Sequence, residues 1–284
     1  MINIIKQDVS SILQNDVQEI TYHASGQIGA VYKVRTAEGT CLVKSSEENT
    51  KLQIEAKMLT DLQEAGLRTP NVIAVSRNYL ALEWIESVNL SRNRQEIDAA
   101  QQLAALHRVS NAERMYGYYY DTTIGPFPQH NEQTQYNWTL FLGEMRIQPM
   151  AQYCFDTGRL SKALLKKIET LCSRLHNFMD MAGITSSLLH GDVWSGNVLF
   201  DQKGACFIDP AIYFGDREME LAFILLFNTF GEIFFNRYQE EHTLSPEFYE
   251  TKVPLYQIYP LLVHVALYGD AYLGSLERIV KRFE

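Results

Sequence analysis

The spacing of apolar positions changes along the chain, and each change predicts a different element. Over residues 4–15, Ile4, Ile5, Val9, Ile12 and Leu13 recur on one side, as in a short helix. The pattern then turns extended. Glu19–His23, Ala30–Arg35 and Thr40–Lys44 are rich in Val, Tyr and Thr and are punctuated by Gly26, Gly29 and Gly39, which predicts strands. The Glu38-Gly39 pair is a hairpin-turn signal. Leu52–Ala65 predicts a helix with Leu52, Glu55, Ala56, Leu59 and Leu62 on one face and Gly66 as its stop. Val72–Ser76 and Tyr79–Trp84 predict two further strands.

After Glu86 the pattern becomes helical. Helices are predicted over Gln95–His107, Trp138–Gln152, Lys162–Met181, Glu218–Phe230, Pro246–Tyr268 and Ser275–Phe283. Residues 111–135, rich in Tyr, Gly, Pro, Gln and Asn, predict a long irregular segment, and a loop of that length in a compact domain is usually functional. The most apolar run, Leu221–Phe235, is broken by Asn228, Gly231 and Glu232, and it predicts a buried helix rather than a membrane span.

Composition narrows the partners. The 284 residues carry a net charge of -9, with 46% hydrophobic and 21% charged residues, as in an ordinary soluble globular protein. That acidic balance argues against nucleic-acid or anionic-membrane binding, because both need a basic footprint. Cys41, Cys154, Cys172 and Cys206 are scattered without a C-x-x-C pair, so neither a disulfide framework nor a zinc site is expected, and a reducing cytoplasm is the expected setting. The first ten residues lack a signal-peptide apolar core.

The chemistry concentrates at Leu189-His190-Gly191-Asp192-Val193-Trp194-Ser195-Gly196-Asn197, followed twelve residues after Asn197 by Asp209. Apolar segments Val198–Phe200 and Cys206–Ile208 lie between, so a loop, a hairpin and a second acid are expected. In kinase-like enzymes H-x-D-x-x-x-x-N supplies an acid near the attacking hydroxyl and an amide for a metal ion. Asp192 is therefore the candidate catalytic acid, Asn197 and Asp209 the candidate Mg2+ ligands, and His190 a brace for the loop. Phosphoryl transfer also needs a phosphate cradle and a cation. Gly26, Gly29 and Val31, in Ser25-Gly26-Gln27-Ile28-Gly29-Ala30-Val31, are the candidate cradle, although a plain hairpin turn fits them as well. Lys44, ending Cys41-Leu42-Val43-Lys44, is the candidate phosphate cation, with Glu55 on the next helix as its partner. Glu83 and Ile85 follow an apolar strand and are expected to offer main-chain groups to an adenine.

A small sheet lobe before a large helical lobe, with acids on a hairpin between helices, predicts an α+β fold of the protein-kinase-like, two-lobe kind. The small antiparallel lobe with one main helix would span 1–86 and end in a hinge; the larger, mainly helical catalytic and acceptor-binding lobe would span 87–284. Gly191 stands where protein kinases carry an arginine, Ile208-Asp209-Pro210 replaces D-F-G, and no A-P-E follows. Those departures point to a small-molecule acceptor.

The chain resembles the fructosamine/ketosamine-3-kinases, relatives of aminoglycoside and choline phosphotransferases. The resemblance rests on Leu188–Asn197 with its Trp194, on Phe207-Ile208-Asp209-Pro210-Ala211, and on Tyr213–Ala222. Leu103–His107, Trp138-x-x-Phe141 with Arg146, and Leu255-Tyr256-Gln257 extend it over nearly the whole chain. It implies ATP- and Mg2+-dependent phosphorylation of the 3-hydroxyl of a ketosamine, free or protein-bound, after which the adduct breaks down and releases the amine. It also implies that Trp194, Asp216 and Glu218 lie near the acceptor, with Trp194 stacking on the sugar. For Trp194 core packing, and for the two acids helix-terminal charge, are the alternatives. A phosphotransferase for an aminoglycoside- or choline-like amine, and a catalytically silent kinase-like binding module, are the competing readings.

Overall fold

The computed structural model describes residues 2–25, 29–47, 50–131 and 136–284. The first lobe is a five-stranded antiparallel sheet of β1 (Val17–Ser25), β2 (Ala30–Thr36), β3 (Thr40–Ser45), β4 (Val72–Val75) and β5 (Tyr79–Glu83), in the order β1-β2-β3-β5-β4. Two helices cover its two faces. Helix α1 (Ile2–Leu13) presents Ile5, Val9 and Leu13 to Val17, Val34, Cys41, Val43 and Ala81. Helix α2 (Lys51–Glu64) presents Leu52, Ala56 and Leu59 to Leu42, Leu80 and Leu82. Side chains alternate across a strand. Leu42 and Lys44 therefore share the α2 face of β3, while Cys41 and Val43 share the α1 face. That alternation aims Lys44 at Glu55. Helix α2 stops at Gly66, whose φ of +91° suits glycine, with the Leu67 amide returning to the Leu62 carbonyl at 3.0 Å.

The second lobe contains helices α3 (Arg92–Leu106), α4 (Trp138–Phe141), α5 (Gln148–Asp156), α6 (Lys162–Ser173), α7 (Arg217–Leu226), α8 (Glu232–Gln239), α9 (Val253–Tyr268) and α10 (Asp270–Arg282). Short antiparallel pairs are set among them: β6 (Thr122–Ile124) with β7 (Phe127–Gln129), β8 (Ser187–Leu189) with β11 (Tyr213–Gly215), and β9 (Val198–Asp201) with β10 (Gly204–Phe207). The main core runs through this lobe and continues into the first through Met58, Leu62 and Leu67. None of the helices among the described residues is long and apolar enough to cross a membrane.

Several elements depart from their expected form, each for a local reason. Helix α3 begins before Gln95 because the Ser91 hydroxyl accepts from the Arg94 amide, and that first turn carries no apolar residue to reveal it. The segment expected to be irregular over 111–135 contains the β6–β7 hairpin. The expected helix over Trp138–Gln152 is interrupted by a π-helical turn at Leu142–Ile147. Pro149 follows that turn and cannot donate to the Met145 carbonyl four residues back. Arg146 Nη1 donates to that carbonyl instead, at 3.0 Å. The apolar run Leu221–Phe235 is two helices. Asn228 takes a positive φ of 49°, and the Thr229 amide bonds the Ile224 carbonyl at 3.0 Å, a helix stop that asparagine tolerates. The expected helix Lys162–Met181 ends at Ser173 and continues only as short 3-10 turns.

Arg146 has 0% exposure and lies between the rings of Phe141 and Tyr213, 4.6 and 4.4 Å from their centroids. Its guanidinium donates to the His130 carbonyl at 2.8 Å and to the Asn131 side chain, fastening the chain just after β7 to the π-helical turn. Arg146→Ala should lower unfolding stability by about 3–5 kcal/mol, because it leaves buried acceptors unpaired and opens a cavity. Urea denaturation checks this, and a loss below about 1 kcal/mol would mean the guanidinium holds nothing in place.

Candidate active site

The loop after β8 is held by its own backbone. Gly191 has φ +86°, and a Cβ there would lie 2.1 Å from the Ala211 carbonyl oxygen. The chain comes that close because the Ala211 amide bonds the His190 carbonyl at 2.8 Å. An arginine at 191 would break this stitch, which is the physical reason the protein-kinase residue is absent. A second stitch joins the Ile208 amide to the Asn197 carbonyl at 3.0 Å. Between the two stitches, Asp209 takes a left-handed φ of 52° ahead of Pro210.

Each acid and amide of the motif acquires defined partners. Asn197 Nδ2 donates to Asp192 Oδ2 at 2.9 Å and to the Asp192 carbonyl at 3.0 Å. With its nitrogen so committed, the amide oxygen is the end left to ligate a cation. Asp209 is linked to Lys44 by a short ion pair, and Lys44 Nζ also donates to Glu55 Oε1 at 2.6 Å. The Asp209 side chain is 46% exposed, so it meets the cavity while holding the lysine. Burial would lower the Lys44 pKa, but Asp209 and Glu55 outweigh that and hold it above the ordinary lysine value. Glu55 is pushed up to about 6, because burial, with the neighbouring charge of Asp209, outweighs the pull of Lys44. Asp209 stays below the ordinary carboxylate value because Lys44 outweighs the cost of its desolvation. Burial and the neighbouring charge of Asp209 push Asp192 up to about 7.

His190 braces the loop as expected of it. Its Nε2 lies 3.1 Å from the Ile208 carbonyl, and its Nδ1 accepts from the Asp192 amide at 3.3 Å. Both bonds are made only by the neutral ring with its proton on Nε2. Burial, which lowers the His190 pKa, favours that form.

Two residues that motif reading left without a role organise this loop. Glu220, on α7, accepts from the Gly191 amide at 2.6 Å and from the His190 amide at 3.3 Å. His107, at the end of α3, lies 2.9 Å from Glu220 through Nε2 and 2.7 Å from the Tyr238 hydroxyl through Nδ1. Burial alone would raise the Glu220 pKa, but His107, His190 and the Gly191 amide hold it below the ordinary value. Both residues stand in segments whose sequence looks characteristic, Leu103–His107 and Tyr213–Ala222, but they are 113 residues apart and nothing local pairs them.

A cavity of about 340 Å³ lies between the lobes, bounded by Gly29, Val31, Lys44, Glu55, Asp192, Trp194, Asn197 and Asp209. Eight of the expected site residues thus come together around one space. Gly26 lies outside the described residues. Glu83 and Ile85 do not border the cavity. The Glu83 amide is committed to the Asn71 carbonyl at 2.9 Å, so of its main-chain groups only the carbonyl could serve an adenine. Asp216 and Glu218 are corrected. Each is 2% exposed and turned inward. Asp216 caps α7 through the Glu218 amide and accepts from Tyr256 at 2.6 Å and Lys252 at 3.0 Å, while Glu218 accepts from Lys252 and Ser245 at 2.7 Å each. They anchor the π-helical turn Phe248–Lys252 and α9 instead of facing an acceptor.

Trp194 is 40% exposed, and its indole lies across Gly196, where a Cβ would meet the ring at 2.3 Å. Any larger residue at 196 would push the ring from this position. Trp194 and Asp192 also border a second space of about 180 Å³, walled by Phe227, His264, Tyr268 and Tyr272. Its His264 is held neutral by burial and bonds the Pro260 carbonyl through Nδ1 at 2.8 Å.

A lysine with its glutamate, an acid facing an amide and a second acid, on two lobes around one cleft, define a phosphotransferase of the protein-kinase-like fold. The family model for fructosamine kinase matches residues 1–283, and the chain belongs to that family. It is 33% identical to a protein of Thermus thermophilus assigned as a ketoamine kinase, over 90% of each chain. It is 29% identical to another so assigned from Lactiplantibacillus plantarum, over 99% of this chain and 100% of that one. The crystal structure of a protein assigned as a fructosamine-3-kinase from Thermobifida fusca superposes with a TM-score of 0.86 at 29% identity, covering 98% of both chains.

The raised pKa of Asp192 has a consequence for stability. A carboxyl that binds its proton more tightly in the folded state loses stability as pH rises from 3.8 to about 7, and the penalty is complete above that. Asp192→Asn should therefore stabilise the nucleotide-free protein by about 1–3 kcal/mol at about pH 8, and the difference should vanish below about pH 4. Thermal melts at the two pH values check the sign; a variant less stable at the higher pH would contradict a buried, proton-hungry Asp192.

Proposed function

We propose that this chain transfers the γ-phosphoryl group of ATP to the 3-hydroxyl of a ketosamine, the sugar adduct of an amine, and so starts the removal of that sugar. The observation that carries the reading is Asp192 on the wall shared by two spaces. Lys44, Asn197 and Asp209 border one, and an aromatic wall lies behind Trp194 in the other.

The chemistry follows from the positions. The acceptor oxygen attacks the γ-phosphorus, the bond from that phosphorus to the β–γ bridging oxygen breaks, and ADP leaves. Asp192 orients the hydroxyl and takes its proton, for which a carboxyl near neutral pKa is well matched. Lys44 exchanges its bond with Asp209 for the phosphates while Glu55 keeps it in place. The oxygens of Asn197 and Asp209 fit Mg2+, a hard cation that takes few protein ligands and completes its shell with phosphate and water. Mg2+ would supply charge neutralisation at the phosphates. The adenine would sit at the strand end near Ile85, and Gly26, Gly29 and Val31 would cover the phosphates. Trp194 offers its exposed face to the sugar, and Phe227, Tyr268 and Tyr272 offer π-faces to the adduct's protonated amine. Once the 3-hydroxyl carries phosphate, a good leaving group stands beside the sugar's carbonyl carbon, and the adduct can break down to free amine. The acceptor is a free or protein-borne ketosamine, and the expected setting is the cytoplasm.

The test offers a fructosamine, a ribulosamine, an aminoglycoside and choline to the protein with MgATP. ATP consumption is followed and the phosphate position is determined by NMR. Turnover of a ketosamine with phosphate on C3 is expected. Turnover of choline or the aminoglycoside alone would refute the acceptor assignment. Asp192→Ala should lower kcat by at least about 100-fold while ATP affinity stays within about threefold. Near-normal turnover in that variant would remove Asp192 from the chemistry.

A further inference from the structure

In regulated protein kinases the helix bearing the lysine's glutamate is set by activation-loop contacts. This chain has Gly191 in place of the arginine those contacts use, and another device holds α2. The segment around β6 and β7 lies between α2 and the loop that carries Asp209. On one side it is bonded to that loop: Thr122 donates to the Ile212 carbonyl at 3.2 Å, and Gln129 to the Ala211 carbonyl at 3.1 Å. The Gly117 amide and carbonyl pair with Phe214, and the Tyr118 ring stacks on Phe214 at 5.6 Å. On the other side it grips α2. Asp61 Oδ2 accepts from the Tyr120 hydroxyl at 2.6 Å and from the Tyr118 hydroxyl at 3.1 Å. Lys57 lies 3.7 Å over the Tyr120 ring, and Lys51 donates to the Pro126 carbonyl at 3.1 Å. These contacts run along the helix on either side of Glu55.

We propose that Tyr118, Tyr120 and Asp61 form a permanent clamp that positions α2, and through Glu55 sets Lys44 for the nucleotide phosphates. They are positioning residues and touch no reacting atom. The clamp joins α2 to the residues directly after Asp209, so the two partners of Lys44, Glu55 and Asp209, are held at a fixed separation. The enzyme is thereby always in the competent arrangement and needs no phosphorylation to reach it. The inference rests on the phosphotransferase reading above.

Calorimetric binding of MgATP without acceptor tests the clamp independently of which acceptor is used. Tyr118→Phe/Tyr120→Phe keeps both rings and the Lys57 contact and removes only the hydroxyls. It should weaken ATP binding by about fivefold or more, as loss of part-buried hydrogen bonds to a carboxylate predicts. Glu55→Gln should weaken binding at least about threefold less in the double-Phe background than in the parent, because the clamp acts through Glu55. A folded double-Phe protein with unchanged ATP affinity, or a Glu55→Gln effect of equal size in both backgrounds, would overturn the clamp. Failure of the parent itself to bind MgATP would instead overturn the phosphotransferase reading.

Discussion

The site depends on one carboxylate that takes no part in the chemistry. Glu220 accepts the amides of His190 and Gly191, and these bonds fix the turn from which Asp192 emerges. A buried carboxylate is costly unless it is paired and hydrogen-bonded. His107 and the two amides meet that requirement together, so the charge and the loop conformation stabilise each other. Tyr238 completes the row by bonding the far side of His107. Helices α3, α7 and α8 thus all reach the catalytic loop through side chains, although none of them borders the reacting groups.

The same economy governs the cleft between the lobes. Lys44 is shared between Glu55 of the sheet lobe and Asp209 of the helical lobe, and it makes a direct ionic link across the cavity. Without nucleotide it neutralises two acids, and that leaves Asp192 facing Asp209 with only Asn197 to relieve it. Burial first, and then the charge of Asp209, raises the Asp192 pKa. Phosphates would draw Lys44 off Asp209 and free that carboxylate for a cation, so any binding of a metal there would be coupled to nucleotide binding through this lysine.

Much of this was legible in the residues. Alternation along Cys41-Leu42-Val43-Lys44 placed the lysine on the α2 face, and the face of Leu52, Ala56 and Leu59 placed Glu55 opposite it. The H-x-D-x-x-x-x-N spacing and the hairpin to Asp209 brought the acids to one side, because those relations are local. What stayed hidden depends on contacts distant in sequence. The resemblance placed Asp216 and Glu218 near the acceptor, with helix-terminal charge as the alternative; Asp216 is indeed a helix cap, but the partners that bury both acids, Lys252 and Tyr256, lie more than 30 residues away. Asn228 was visible as an interruption of the apolar run, but not as a helix stop, because the apolar residues around it satisfy a helical pattern whether the backbone continues or not. The close approach of the Trp194 ring to Gly196 likewise has no local signal beyond the glycine itself.

Glu220 holds the loop for chemistry, while the nucleotide is held by other groups. Glu220→Gln keeps the shape but replaces one acceptor oxygen by a donor that cannot face an amide. Steady-state kinetics with a ketosamine, set beside calorimetric ATP affinity, separates the two roles. The account predicts that kcat falls by at least about tenfold while the Kd for MgATP stays within about twofold. A folded variant with wild-type kcat, or one whose loss lies wholly in ATP affinity, would contradict it.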